Sequence, residues 1–169
     1  MQIQRQITID ASPEEVWQVL GHQFDQVSLW ASSVSHSAAR SDGKRVSSAP
    51  ASGRVCETDL GPFRESILEF DEERKVLAYE ASGEKMPSFV HNLKNRWSLT
   101  ALSGSRTRVD MLMTADLAFP FRLFMPPLMK LQMGRVLSFA IEELKHYVET
   151  GQPHPRKVKA DLAAARKAA

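Results

Sequence analysis

The chain has 169 residues, of which 43% are hydrophobic and 25% charged, and its formal net charge is +2. This length fits one domain that buries about 70% of the surface exposed by its unfolded chain. The single cysteine, Cys56, excludes an internal disulfide and a cysteine-rich zinc site.

The charge is unevenly distributed. Residues 154–169 hold five Lys or Arg and one Asp, so this tail carries +4 and the rest of the chain −2. A mildly acidic body without interleaved basic and aromatic residues argues against nucleic-acid binding. The N-terminus lacks the pattern of a signal peptide, and no stretch approaches the ~20 apolar residues of a membrane span. We expect a cytoplasmic protein without a transmembrane segment.

The predicted elements begin with a strand and a capped helix. Apolar and polar residues alternate over 2–9, which predicts a strand with one buried face. Ser12, Pro13 and Glu15 then give the spacing of a capping box with proline at the first helical position, so a short helix begins here. Trp17 lies on its apolar face.

The middle of the chain reads as successive antiparallel hairpins. Turn-forming sequences separate strands that we predict at 34–40, 53–58, 63–70, 76–81, 88–102 and 106–117. A meander of this length curves.

One long helix closes the folded part. Over 127–149, apolar and charged residues fall on opposite faces at 100° per residue, which predicts an amphipathic helix lying on the sheet. At ~1.5 Å per residue it would be ~35 Å long. Gly151 and Pro153 end it. We predict a single α+β domain over 1–150 and a flexible, basic, Ala-rich tail over 151–169.

The sequence resembles the polyketide cyclase/dehydrase branch of the START-like (SRPBCC) superfamily of ligand-binding proteins. The resemblance covers about 2–149 and is carried by Ile9 to Trp17, Gly53 to Val55, Phe63 to Ile67, Phe70-Asp71 and Leu77 to Tyr79. It implies a helix-grip fold, in which a curved antiparallel sheet wraps around a long C-terminal helix. Members of the superfamily carry lipids, bind hormones, cyclise polyketides, bind quinones or assist chaperones.

A sheet covered by one helix tends to leave a cavity beneath it, so we expect a binding site there. On the strand 88–102, alternation places His91 and Asn95 on the inward face with Trp97. Tyr79 has the inward register on its own strand. The predicted ligand-binding residues are Trp30, Tyr79, His91, Asn95, Trp97, Met111, Met113, Met129, Met133, Val136, Leu137 and Ala140.

These residues also have ordinary structural interpretations. Methionines suit a tolerant pocket, but they suit a core equally well. A histidine near a sheet edge can simply bond to the backbone. Alternation does not settle the facing of four charged residues, for which solvated cross-strand ion pairs are the default: Arg54, Glu57, Arg64 and Glu65. A buried pair among them would form a polar anchor for a carboxylate or carbonyl.

Three functions remain open. The first is binding of a hydrophobic or amphipathic small molecule, such as a lipid, polyketide or quinone. The second is a cyclase or dehydratase in which His91 or Tyr79 moves a proton. The third is docking on a second copy, a partner or a membrane surface through the very apolar stretch 119–131. No Ser-His-Asp order, phosphate-binding loop or metal-ligand spacing is present, so we expect no metal or cofactor.

Overall fold

The computed structural model describes residues 1–168, which form one seven-stranded antiparallel sheet and three α-helices. The strands are β1 (Gln2–Ile9), β2 (His36–Arg40), β3 (Gly53–Thr58), β4 (Gly61–Asp71), β5 (Val76–Gly83), β6 (Val90–Ser103) and β7 (Arg106–Leu117). Each strand from β2 to β6 pairs with the next along the chain, and β1 pairs with β7. The predicted meander is confirmed.

Helix α1 (Pro13–Trp17) begins at the predicted capping box. The Ser12 hydroxyl accepts from the Glu15 backbone N–H at 3.3 Å, and the Ser12 N–H donates to the Glu15 carboxylate at 2.8 Å. The chain continues as a π-helical turn (Gln18–His22) and a 3₁₀ segment (Phe24–Leu29). Gly21 lies against the Trp17 ring, where a Cβ atom would be 2.7 Å from Trp17 Cε2, so no larger residue fits unless that ring moves.

Helix α2 (Pro126–Thr150) lies across the sheet, as predicted. Its buried side chains include Leu137, Ile141 and Leu144, which join the core formed by the inward faces of the strands. The helix ends at Gly151, whose φ of 68° is the left-handed conformation that glycine adopts readily. Within residues 1–168, no helix combines the length and hydropathy that a membrane crossing requires.

The segment that we predicted to be a flexible tail forms helix α3 (Pro155–Ala168) instead. Proline at its first position and a run of Ala, Arg and Lys favour a helix, and Lys157 is buried against the body of the protein. Ala169, the last residue of the predicted tail, lies outside the described residues. The basic composition of this segment therefore led us to expect flexibility where the chain forms a packed helix.

Candidate ligand-binding site

A cavity of about 350 Å³ lies between the inner face of the sheet, α2 and the segment that follows α1. This volume falls within the roughly 300–1,000 Å³ typical of small-molecule sites. Ten of the twelve predicted residues line it: Trp30, Tyr79, Asn95, Trp97, Met111, Met113, Met133, Val136, Leu137 and Ala140. Their position is therefore as expected, and ligand binding by them stays a prediction.

His91 does not lie in the cavity, so its predicted inward facing is wrong. The β6–β7 pairing shifts register between His91 and Lys94, and Asn92 within this bulge has a positive φ of 50°. A bulge inserts a residue and reverses the alternation on one side of it. Leu93, Asn95 and Trp97 consequently face inward, whereas the His91 side chain is exposed.

Met129 also lies outside the cavity. On α2 the lining residues begin at Met133, one turn further along the helix. The first two turns of α2, which include the half-buried Met129, therefore extend beyond the end of the cavity. Helical periodicity identified the correct face of α2 but not how far the cavity runs along it.

Arg54 and Glu65 form a buried ion pair in the cavity wall, which sequence alternation had left open. They are direct cross-strand neighbours on β3 and β4, and Arg54 Nε donates to Glu65 Oε2 at 2.5 Å. Arg54 Nη1 also donates to the Phe24 carbonyl oxygen, and its guanidinium lies 3.9 Å from the centroid of the Phe24 ring. Glu57 and Arg64 are exposed.

The surroundings of Arg54 hold its guanidinium in the charged form. Burial is the largest single influence and acts to lower the pKa of Arg54, but the charge and hydrogen bond of Glu65, together with Tyr79 and Cys56, outweigh it, so the net pKa of the guanidinium is raised. Buried charges are stable only when they are paired and hydrogen-bonded, and Arg54 meets both conditions. The guanidinium is therefore part of the structural frame rather than a free cation.

Asn95, unlike Arg54, has a buried polar atom without a hydrogen-bond partner among the described residues. It lines the cavity between its strand neighbours Tyr79 and Met113, and the unpaired atom is its amide oxygen, Oδ1. Buried polar atoms are nearly always paired, and an unpaired one costs about 1–3 kcal/mol. The amide oxygen is an acceptor for which the protein supplies no donor.

Tyr79 places a neutral phenol beside Asn95. Its hydroxyl accepts from Trp97 Nε1 at 3.5 Å, which leaves the O–H proton free to be donated. Burial, followed by the negative charge of Glu65, raises the pKa of Tyr79. The phenol can donate a hydrogen bond, but it does not release its proton near neutral pH.

Cys56 also contributes to the wall, although we did not predict it. Burial is the main cause that raises the pKa of its thiol, to about 12. A thiol with such a pKa stays protonated and unreactive near neutral pH. The available signal was its position between Val55 and Glu57 on a predicted strand, but alternation on that strand was too weak to fix the facing.

The mouth of the cavity lies between the β3–β4 turn and α2. Leu60 in this turn and Val136 on α2 both line the cavity, yet they are 62% and 41% exposed. Asp59 is a further exposed lining residue on the same turn. The entrance therefore combines apolar edges with one carboxylate.

The apolar stretch 119–131 is largely exposed. Phe119 and Leu123 are 71% and 70% exposed, and Leu128 and Leu131 are exposed as well. Among the described residues, no contact shows what covers this surface. Docking of a membrane or of a second copy here therefore has no support from the structure.

Sheet, closing helix and internal cavity together define a helix-grip protein with a small-molecule-sized site. A family model described as "Polyketide cyclase / dehydrase and lipid transport" matches residues 1–149. The chain belongs to this family, which confirms the resemblance inferred from its sequence. No curated protein matches the chain significantly.

Solved structures show the same fold at low sequence identity. A START superfamily protein from Mycobacterium smegmatis is 14% identical with a TM-score of 0.68, over 88% of this chain and 97% of that chain. The di-domain ARO/CYC protein BexL from the BE-7585A biosynthetic pathway is 9% identical with a TM-score of 0.67, over 87% of this chain and 47% of that chain. Norcoclaurine synthase from Thalictrum flavum is 11% identical with a TM-score of 0.65, over 88% and 93%.

Proposed function

We propose that the protein binds an apolar or amphipathic small molecule whose part inside the cavity is uncharged, and that Asn95 orients it. The observation that carries this proposal is the buried, unpartnered Oδ1 atom of Asn95 in a largely apolar wall. A ligand hydroxyl or N–H group placed there would supply the missing donor. Such a contact gives binding free energy and fixes the orientation of the ligand.

The charges in the wall favour an uncharged ligand group at this depth. Arg54 is already neutralised by Glu65, so it offers little attraction to an anionic ligand. Tyr79 can donate to a ligand carbonyl while Asn95 accepts from a ligand hydroxyl, and these two residues are direct neighbours on β5 and β6. The pair therefore suits a molecule with hydroxyl and carbonyl groups close together, such as a polyketide or quinol.

We favour binding or transport over cyclisation because neither predicted proton carrier is suited to the task. His91 lies outside the cavity, and burial raises the pKa of Tyr79. General acid–base catalysis works best when the pKa of the acting group is near the working pH. The family description names both cyclases and lipid transport, so a turnover assay with a polyketide panel accompanies the binding test.

Native mass spectrometry of the unheated protein, combined with fluorescence titration, tests the proposal. We expect a bound apolar molecule, or else binding of the neutral probe N-phenyl-1-naphthylamine. Ala140→Phe places a ring in the cavity and should weaken probe binding at least tenfold. Ala165→Phe is the matched control, because Ala165 is exposed on α3 and lines no described cavity.

The proposal fails if the wild-type protein neither carries a ligand nor binds the probe. It also fails if Ala140→Phe and Ala165→Phe bind the probe equally, because the probe would then sit elsewhere. Turnover of any polyketide in the panel would favour the cyclase or dehydratase interpretation instead.

A further inference from the structure

A second, smaller cavity adjoins the first at its mouth. Its volume is about 170 Å³, and Ser33, Thr58 and Asp59 line both cavities. One side of it carries serine and threonine hydroxyls and the Asp59 carboxylate, and the other side is a face of α3 that carries three alanines and Asp161. Its lining residues are Ser32, Ser33, Ser35, Thr58, Asp59, Ala160, Asp161, Ala163 and Ala164.

Helix α3 is fixed beside the main cavity by a buried lysine. Lys157 is 2% exposed, and its Nζ atom donates to the Val34 carbonyl oxygen at 2.9 Å and to Asp161 Oδ1 at 2.6 Å. The Val34 side chain lines the main cavity. One residue therefore connects the wall of the main cavity to the helix that bounds the second.

A buried carboxylate on α2 provides a second attachment. Glu143 is 1% exposed, and it accepts from the Ser32 backbone N–H at 2.8 Å, from the Ser32 hydroxyl at 2.7 Å and from Arg156 Nε at 2.8 Å. Buried charges with this many partners resist displacement. The second cavity thus has a fixed wall, and that wall lies outside residues 1–149 that match the family model.

Asp59 is the carboxylate in this cavity that has no ion-pair partner among residues 1–166, and the Ser33 hydroxyl is likewise unpaired there. Asp161 is occupied by Lys157, and the Thr58 hydroxyl donates to the Gly61 carbonyl oxygen at 2.8 Å. The Asp59 carboxylate makes no hydrogen bond or ion pair with any residue in 1–166. An ionised carboxylate only accepts hydrogen bonds, so it attracts hydroxyl or ammonium groups and repels anions.

We propose that the second cavity binds the polar end of an elongated ligand whose apolar body occupies the first. That end is a hydroxyl or amine that donates to Asp59, and α3 selects it by bounding the space around it. This inference rests on the proposed function, because it needs the apolar body of the ligand to enter the main cavity.

Matched alkyl probes test the inference through displacement of N-phenyl-1-naphthylamine. We expect dodecylamine to bind the wild-type protein at least tenfold more tightly than dodecanoate. Asp59→Asn should bring the two affinities within about threefold of each other. Glu80→Gln removes one exposed carboxylate from β5, away from both cavities, and should leave the preference unchanged.

A second pair of variants tests whether α3 bounds the space that the polar end of the ligand occupies. Ala163→Phe fills the second cavity, so it should weaken the binding of dodecylamine at least tenfold and leave the affinity for N-phenyl-1-naphthylamine unchanged. Ala165→Phe should change neither affinity. The inference is overturned if the wild-type protein binds dodecylamine and dodecanoate with equal affinity. It is also overturned if Ala163→Phe and Ala165→Phe bind dodecylamine with equal affinity. Failure of the naphthylamine probe to bind at all would instead contradict the proposed function.

Discussion

The two sides of the cavity wall treat buried polar groups in opposite ways. On β3 and β4, Arg54 has a carboxylate, a backbone carbonyl and an aromatic ring as partners within the protein. On β6, the amide oxygen of Asn95 has none among the described residues. A buried polar group whose partners all lie within the protein supports the fold, whereas an unpaired polar atom that faces a cavity indicates a binding position for a ligand.

The largest expected effect on stability comes from removing one partner of the Arg54–Glu65 ion pair. In Glu65→Ala, Arg54 stays buried without its counter-charge, and we expect the free energy of unfolding to fall by about 3 kcal/mol. Chemical denaturation measures this. Glu57→Ala, at an exposed position on the neighbouring strand, should cost under about 0.5 kcal/mol. A loss in Glu65→Ala no greater than in this control would show that the pair is not structural.

Substitution of Asn95, whose amide oxygen is unpaired, should not lower the free energy of unfolding. Asn95→Leu removes an unpaired buried acceptor, so we expect the unfolding free energy of the ligand-free protein to stay the same or rise by about 1 kcal/mol. The same denaturation experiment, on protein stripped of ligand, measures the change. A fall of about 2 kcal/mol would mean that Asn95 supports the fold itself.

A smaller, pH-dependent effect concerns the start of α3. His154 Nδ1 accepts from the Arg156 backbone N–H at 3.1 Å. Partial burial, then the electrostatic influence of Arg156 and His146, lower the pKa of His154 despite the opposing influence of Glu143 and Glu142. The unfolded chain, with a histidine pKa of about 6.5, thus binds the proton more readily. The contribution of His154 to stability is lost as pH falls below about 6.5 and through the lower folded pKa.

Hydrogen exchange of the α3 amides, corrected for intrinsic rates, should therefore show less protection at pH 5 than at pH 7.5. His154→Asn keeps an acceptor that can cap the helix but does not titrate, so it should remove this difference. Equal pH dependence in the two proteins would contradict the assignment to His154.

The smallest expected effect is at His91. Because its side chain is exposed and outside the cavity, His91→Ala should change neither the probe affinity nor the unfolding free energy by more than about 0.5 kcal/mol. Fluorescence titration of N-phenyl-1-naphthylamine checks this. A tenfold loss of affinity would mean that the bulge rearranges when a ligand binds.

Much of the fold could be predicted because its signals are local and periodic. The capping box, the strand alternation and the amphipathic stripe of α2 each depend on a few neighbouring residues, and the structure confirms them. The same alternation correctly assigned Asn95 and Trp97 to the inward face. It failed at His91 because one bulge reverses the facing of everything before it.

The remaining features depend on contacts between distant segments. The only local hint of the bulge was Asn92 itself, since asparagine tolerates a positive φ better than most residues. The burial of Arg54 depends on Phe24, which lies thirty residues away in sequence. The docking of α3 depends on Ser32, Val34 and Glu143, and no pattern within residues 151–169 reveals these partners.

The most direct test of the central claim compares two ligands that differ by one hydroxyl. Calorimetric titration of the wild-type protein should show 1-naphthol binding about tenfold more tightly than naphthalene, because the hydroxyl donates to Asn95 Oδ1. In Asn95→Leu this preference should vanish while naphthalene binding persists. A hydroxyl preference that survives the substitution, or no binding of either compound, would contradict the account.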